Sequence, residues 1–450
     1  MPPDGGLFGP TFSTDAMREA VSDRAWLQAM LDFEAALAAA EARVGLIPPE
    51  AAVAIAGCCR VDRFDVDAIG RATVSAGTPV IPLVRALTAA VPGDAARYVH
   101  WGATTQDVVD SAAMLLCKGA LDLLVEDLGR VAARCADLAE THRATVMPGR
   151  TLMQQALPIS FGLKAAGWLA ATAAARDRLA DLRRRGLAVQ LGGAAGTLAS
   201  LGRDGIDVLH QLSVELDLPE PSIPWHTARG RVAEVGAALG VAAGAMGKVA
   251  LDIVLLAQTE VSEVAEPSAP GRGGSSTLPH KRNPVGAVEV NACVRRVHAL
   301  VGVLLGAMVQ EHERAAGAWQ AEWETLPEAF RLTAAAVDRV REVLDGLEVF
   351  PDRMRANLDV TRGLMMSEHV MMALAEHTGR PRAHEVVEAA CARAVGAGRH
   401  LREELLADPL VSAHLSASEV DAALDPAGYL GSAEAFIDRA LDAHRGAEDR

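Results

Sequence analysis

From Ser22 to Arg43 apolar side chains return every three or four residues, with Trp26, Met30, Phe33 and Leu37 on one stripe. The spacing predicts an amphipathic helix that ends at Gly45 and the Pro48-Pro49 pair. Short segments follow, punctuated by Gly70, Gly77, Pro79, Pro82 and Pro92. After Thr104 the pattern changes. Runs compatible with long helices cover 104–142, 158–185, 231–266, 284–314 and 326–347. Glycines recur inside them (Gly119, Gly162, Gly167, Gly236, Gly240, Gly244, Gly247, Gly302, Gly306), each costing up to ~1 kcal/mol in an exposed helix. With alanine recurring along the same runs, they read as small residues that let helices approach closely. Helices apolar over so much of their surface need burial on several sides, which predicts an oligomeric helix bundle. Shorter helices around 353–374 and 384–406 follow, and Asp425 to Gly431 has turn chemistry.

Composition fits this reading. Half of the 450 residues are hydrophobic and only 4% aromatic, so the core material is mostly Ala, Leu and Val. That excludes a disordered chain and a small disulfide scaffold, and favours an all-α body. The expected division is an N-terminal helical domain over 1–110, a central long-helix bundle that carries oligomerisation over 111–352, and a C-terminal helical domain over 353–450.

With 43 Lys and Arg against 58 Asp and Glu, the formal net charge is −15. A nucleic-acid partner is not expected, and an anionic substrate would need a local cluster of positive charge. Cys58, Cys59, Cys117, Cys135, Cys293 and Cys391 form no CxxC pair or zinc spacing and read as reduced buried thiols. No uncharged apolar stretch reaches the roughly 18–20 residues of a membrane span, and no leader pattern is seen. A cytoplasmic protein with no membrane partner is expected.

Three stretches carry candidate chemistry. The first, Gly271 to Pro284, is rich in Gly, Ser and Pro, lies between two long helices and holds His280, Lys281 and Arg282 in succession. Asn283 suits a helix N-cap and Pro284 a first helical position. Cations beside the positive end of a helix, with free backbone N–H groups, make an anion site, and the glycines would let the loop close over a ligand. A solvated surface loop is the plainer reading. The second stretch is His100-Trp101-Gly102-Ala103-Thr104-Thr105-Gln106-Asp107, where Thr104 or Thr105 is placed to cap the next helix. The third, Met147 to Ala156, is a break between two long helices, read as a polar connection or as a binding segment. No zinc-protease, Rossmann or Walker pattern occurs, so neither a metal nor a nucleotide cofactor is expected.

The stretch GSSTLPHKRNP at 274–284 resembles the signature loop GSSxMPxKxNP of the fumarase/aspartase/adenylosuccinate lyase superfamily. HWGATTQD at 100–107 and GRTLMQQA at 149–156 are similar to that superfamily's other two active-site regions, in the same order. Leu278 stands where the loop usually has Met, a volume-conserving change. Within the superfamily, TPVIPLV at 78–84, LGGAAGTLASLG at 191–202, WHTARGR at 225–231, WQAEWETLPE at 319–328, NLDVTRGLMMSE at 357–368 and DPAGYLG at 425–431 look most like the bacterial 3-carboxy-cis,cis-muconate cycloisomerases. The resemblance implies a three-domain all-α lyase fold, a homotetramer whose core is a multi-helix bundle, and active sites each built from three subunits. It implies no cofactor.

Two departures bear on the reaction. Adenylosuccinate lyases carry a general-acid His at the position of Leu152, which cannot move a proton. Their phosphate-holding positions after His312-Glu313-Arg314 read Trp319 and Trp323 here. A carboxylate leaving group, with a pKa near ~4, departs without a general acid, unlike an amine. Lactone closure of 3-carboxymuconate is that elimination run backwards within one molecule. The resemblance thus implies Ser275 as donor of the α-proton and Lys281, with the helix end after Asn283, as stabiliser of the developing dianion. His100, Thr104, Thr105, Arg150, Thr151, Gln154, Ser276, Asn283 and Arg314 are expected to hold the remaining carboxylates of a small tricarboxylate. His226 and Arg229 are further candidates, beside a plain role in helix-start packing. A lyase expelling another good leaving group, such as nitrite, suits Leu152 equally well. Adenylosuccinate- or argininosuccinate-type chemistry and a catalytically dead homologue fit less well.

Overall fold

The computed structural model describes residues 6–267, 278 and 280–448. Helices dominate, and the strands among the described residues are two short antiparallel pairs. The chain divides into two compact units: Met1–Gly129, Ala174–Gly247 and Glu289–Arg339, and Arg130–Ala173, Lys248–Val288 and Val340–Arg450. The all-α expectation holds.

In the first unit the predicted amphipathic helix is Asp23–Val44. Ser22 caps it by accepting from the Ala25 N–H, and Gly45 ends it at φ 87°. Met30, Phe33 and Leu37 are buried and Trp26 half-buried. The Gly230–Leu256 and Val285–Gly306 helices run antiparallel here. A Cβ on Gly236 would meet Leu304 at 2.5 Å, on Gly240 Val301 at 3.0 Å, and on Gly247 Val294 at 3.2 Å. These glycines do let helices approach closely. Gly119, Gly167, Gly302 and Gly306 meet no neighbouring helix among the described residues of this chain. Gly230–Leu256 is long and apolar enough to cross a membrane, but over half of that apolar window is buried inside the protein.

Several boundaries differ from the expected runs. The run from 231 ends at Leu256, and Glu263 leads into strand β3 (Val264–Ala265), paired with β4 (Glu348–Val349). The run from 284 ends at Gly306. The last long helix is Ala318–Asp345, which continues through Pro327 instead of starting near it; proline removes one hydrogen bond, and burial of Leu326, Ala329 and Phe330 outweighs that loss.

In the second unit the segment after the Thr105–Thr141 helix is a β-hairpin rather than a polar connection. Strand β1 (Val146–Thr151) pairs with β2 (Gln154–Ser160), and the Phe161–Arg185 helix follows directly. Leu152 and Met153 form the two-residue connection, both at positive φ (50° and 67°), the backbone of a type I′ hairpin turn. The C-terminal helices enclose their own core around Val370, Leu374, Val386, Leu401, Leu405 and Val420. The cysteines are free and, apart from half-buried Cys391, buried.

Candidate active site

In the first unit the site begins where the chain enters the Thr105–Thr141 helix. His100 has φ 58° and Gly102 φ 75°. A side chain on Gly102 would sit 2.4 Å from Leu201, so this close turn requires glycine. Thr104 stands at the N-cap position, and Asp107, the third helical residue, reaches back so that its carboxylate accepts from the Thr104 N–H at 2.9 Å. The same fully buried carboxylate accepts from the Gly192 and Gly193 N–H groups at 2.9 and 3.0 Å and from His226 Nε2 at 2.7 Å. One residue thereby ties the first motif to LGGAAGTLASLG and WHTARGR. The Thr104 and Thr105 hydroxyls, half-buried, make no hydrogen bond to described residues.

One turn further, Asp110 takes both terminal nitrogens of Arg229 at 2.7 and 2.9 Å and the Trp319 indole N–H at 3.0 Å. Arg229 also reaches Glu322 and lies 4.9 Å over the Trp225 ring. Burial alone would lower the Arg229 pKa; Asp110 and Glu322 raise it above its ordinary value. Arg229 is 2% exposed, so its charge is taken up inside the protein. Trp319, read from the sequence as a replaced phosphate position, is a partner of this cluster. Arg314 donates to Gln106 Oε1 at 3.3 Å and to the Ala194 carbonyl at 2.9 Å. The structure therefore gathers Thr104, Thr105, His226 and Arg314 around Gln106 and Asp107, and His100 feels the Asp107 charge.

In the second unit the hairpin presents Arg150, Thr151 and Gln154. Arg150 gives both terminal nitrogens to Glu263, at 2.9 and 2.6 Å, and Glu263 accepts from Asn357 Nδ2 at 2.7 Å. Asn357 opens the NLDVTRGLMMSE stretch, whose part in the site was not evident from the sequence. Thr151 and Gln154 pair across the hairpin end and are exposed. Leu152 beside them is 97% exposed. Lys164, on the first turn of the following helix, was also missed. Burial lowers its pKa; Asp252 and Glu263 oppose that, while Lys248 and Arg150 add to it.

Ser275 and Ser276 lie outside the described residues. Beyond them Lys281 is exposed, its ammonium without a partner among the described residues, and Asn283 is half-buried. The helix begins at Val285, one residue later than expected. Its end is not free: Glu266 accepts from the Gly286 N–H at 3.0 Å and the Ala287 N–H at 2.8 Å. The expectation that these groups serve an external anion is corrected. A carboxylate twenty positions upstream satisfies them. Among the described residues no group of three or more His, Cys, Asp or Glu side chains is placed to share a metal ion.

The described site residues thus offer a carboxylate-anchored helix entry, a basic hairpin and an exposed lysine ahead of a helix. Residues 10–299 match the lyase family model and residues 363–440 that of the adenylosuccinate lyase C-terminus. The chain belongs to this lyase family. It is 51% identical, over 97% of each chain, to a 3-carboxy-cis,cis-muconate cycloisomerase of Bradyrhizobium diazoefficiens. It is 45% identical to a nitrosuccinate lyase of Streptomyces davaonensis, over 97% of this chain and 94% of the other. The crystal structure of a 3-carboxy-cis,cis-muconate lactonizing enzyme from Pseudomonas putida superimposes with a TM-score of 0.93 at 48% identity, covering 98% of this chain and 99% of the other. The resemblance read from the sequence motifs is borne out.

Proposed function

We propose that the protein closes 3-carboxy-cis,cis-muconate to 4-carboxymuconolactone, a step of aromatic degradation through the β-ketoadipate route. The observation that carries this is the near full-length likeness to cycloisomerases of that substrate. Leu152, at the exposed hairpin tip, is consistent with it, since lactone closure needs no acid there. One substrate carboxylate adds to the β-carbon of the unsaturated acid. Negative charge collects on a second carboxylate, and Ser275 delivers a proton to the α-carbon. Lys281 stabilises that charge.

His100, Thr104, Thr105, Thr151, Gln154, Ser276, Asn283 and Arg314 hold the other carboxylates. His226 and Arg150, whose polar groups meet Asp107 and Glu263, serve the site by fixing the helix entry and the hairpin. The protein works in the cytoplasm as a homotetramer in which different subunits supply the three regions. Val241 and Leu251 on one long helix, and Val288, Val303 and Leu305 on another, are exposed apolar residues that self-assembly would cover.

The test is ultraviolet absorbance with 3-carboxy-cis,cis-muconate. Closure breaks the conjugated diene, so absorbance falls, with or without chelator. The 45% identity to a nitrosuccinate lyase supports a second reading, expulsion of nitrite from nitrosuccinate. Unchanged diene absorbance together with nitrite release would select it.

A further inference from the structure

The Asp23–Val44 helix buries two carboxyl groups seven residues apart on one face, Glu34 (1% exposed) and Glu41 (0%). Glu34 Oε1 lies 2.7 Å from His100 Nδ1. Among the described residues Glu34 Oε2 has no hydrogen-bond partner, and neither oxygen of Glu41 has one. His100 is held in the left-handed region at φ 58°, which L side chains rarely adopt. With Nδ1 directed at Glu34, the ring's other nitrogen, Nε2, makes no hydrogen bond to a described residue, and the side chain stays 18% exposed.

Protonation follows from the neighbours. Burial works against charge on the His100 ring; Glu34 and then Asp107 outweigh it, so its pKa lies above the ordinary 6.5. These two are the charged groups among the described residues that act on the ring, from the Asp23–Val44 helix and the first turn of the Thr105–Thr141 helix. Burial first, and Glu34 second, push Glu41 up to about 9 and the Cys59 thiol to about 12, so both stay protonated. Burial also raises Asp32 on the same helix.

We propose that Glu34 is a positioning residue of the active site, which holds His100 as an imidazolium and leaves its Nε2–H to donate to a substrate carboxylate. This rests on the proposed role of His100 in substrate binding. A neutral imidazole with its proton on Nδ1 would instead offer Nε2 as an acceptor and would repel a carboxylate. Glu34 thus decides whether His100 attracts or rejects the anion.

Two measurements on the full-length protein test the proposal. The first is nuclear magnetic resonance of 15N-histidine-labelled protein between pH 6 and 9, with His100→Asn assigning the signal. His100 remains doubly protonated beyond pH 7, and Glu34→Gln lowers its titration midpoint by at least one unit. A His100 that is singly protonated at pH 7 in the wild type overturns the proposal, whatever the variant does. The second is the pH profile of turnover of 3-carboxy-cis,cis-muconate. Glu34→Gln moves the alkaline limb of kcat/KM to lower pH and raises KM about tenfold at pH 8, with kcat changed less than threefold. An unmoved limb, or a loss confined to kcat, overturns it. Wild-type protein that turns over no muconate sinks the substrate reading instead, and the resonance titration then still decides the state of His100.

Discussion

Arg150 and Glu263 meet side by side, two guanidinium nitrogens on two carboxylate oxygens, with the carboxylate fully buried and the arginine 24% exposed. The contact joins the hairpin to the chain just before strand β3. Such a pair restrains geometry more than it adds stability, because both ions lose water on burial.

Removing one partner is therefore costlier than removing both. Arg150→Met leaves the buried Glu263 charge with Asn357 as its remaining hydrogen-bond partner among the described residues and should destabilise by about 3 kcal/mol. Glu263→Leu leaves a partly exposed arginine and costs about 2 kcal/mol. The double variant should recover at least half of the larger loss in urea melts while turnover stays low. Additive losses would mean that the two side chains are not coupled.

Glu266 acts as a remote cap. Glu266→Ala leaves the Gly286 and Ala287 N–H groups without their acceptor, and thermal melts should show a loss of about 1–2 kcal/mol. Glu266→Gln keeps one acceptor oxygen and should lose less. Equal melting temperatures for both variants and the wild type would show that the cap is dispensable.

The buried Glu41 sets a pH slope. Its folded value of about 9 lies above the unfolded 4.5, burial being the main cause and Glu34 the second. The folded state then binds more protons than the unfolded state between those limits, so stability is fullest below about pH 4.5 and falls as pH rises toward 9. Glu41→Gln removes this contribution. Its melting temperature should match the wild type near pH 5 and exceed it clearly at pH 8. A constant difference across that range would contradict the buried-acid account.

Ser275→Ala should fold and bind substrate but lose most turnover, as its assignment as proton donor requires. Competition by an unreactive tricarboxylate checks binding, and the diene assay checks turnover. Near-normal rates would remove Ser275 from that role.

Helix limits were legible where a cap or a breaker sat next to the pattern, as with Ser22 and Gly45. The glycine ladder from Gly236 to Gly247 was legible as a packing seam because its spacing repeats. The site was legible as three motifs, but not as a hydrogen-bonded web. Glu34, Glu263 and Glu266 meet partners 66, 113 and 20 positions away, and no local pattern marks a carboxylate for such a partner. Pro327 reads as a helix start, yet tertiary burial carries the helix through it. The hairpin was hidden because its strands lack clean alternation, hold Pro148 and Pro158 opposite each other, and turn on Leu-Met.

That turn disagrees with its own sequence. A type I′ connection favours Asn-Gly, because both central residues need positive φ; here they are Leu152 and Met153, at 50° and 67°, and 97% and 69% exposed. Large apolar side chains at an exposed, strained turn gain little from packing within this chain, so their presence there suits a task outside local folding. Replacing Leu152 by Asn and Met153 by Gly together should relieve the strain and stabilise the hairpin by about 1 kcal/mol, read as a raised melting temperature. If the tip serves the catalytic assembly, kcat/KM should fall at least tenfold in the same variant even as stability rises. A variant that gains stability and keeps full turnover would show the two side chains to be idle.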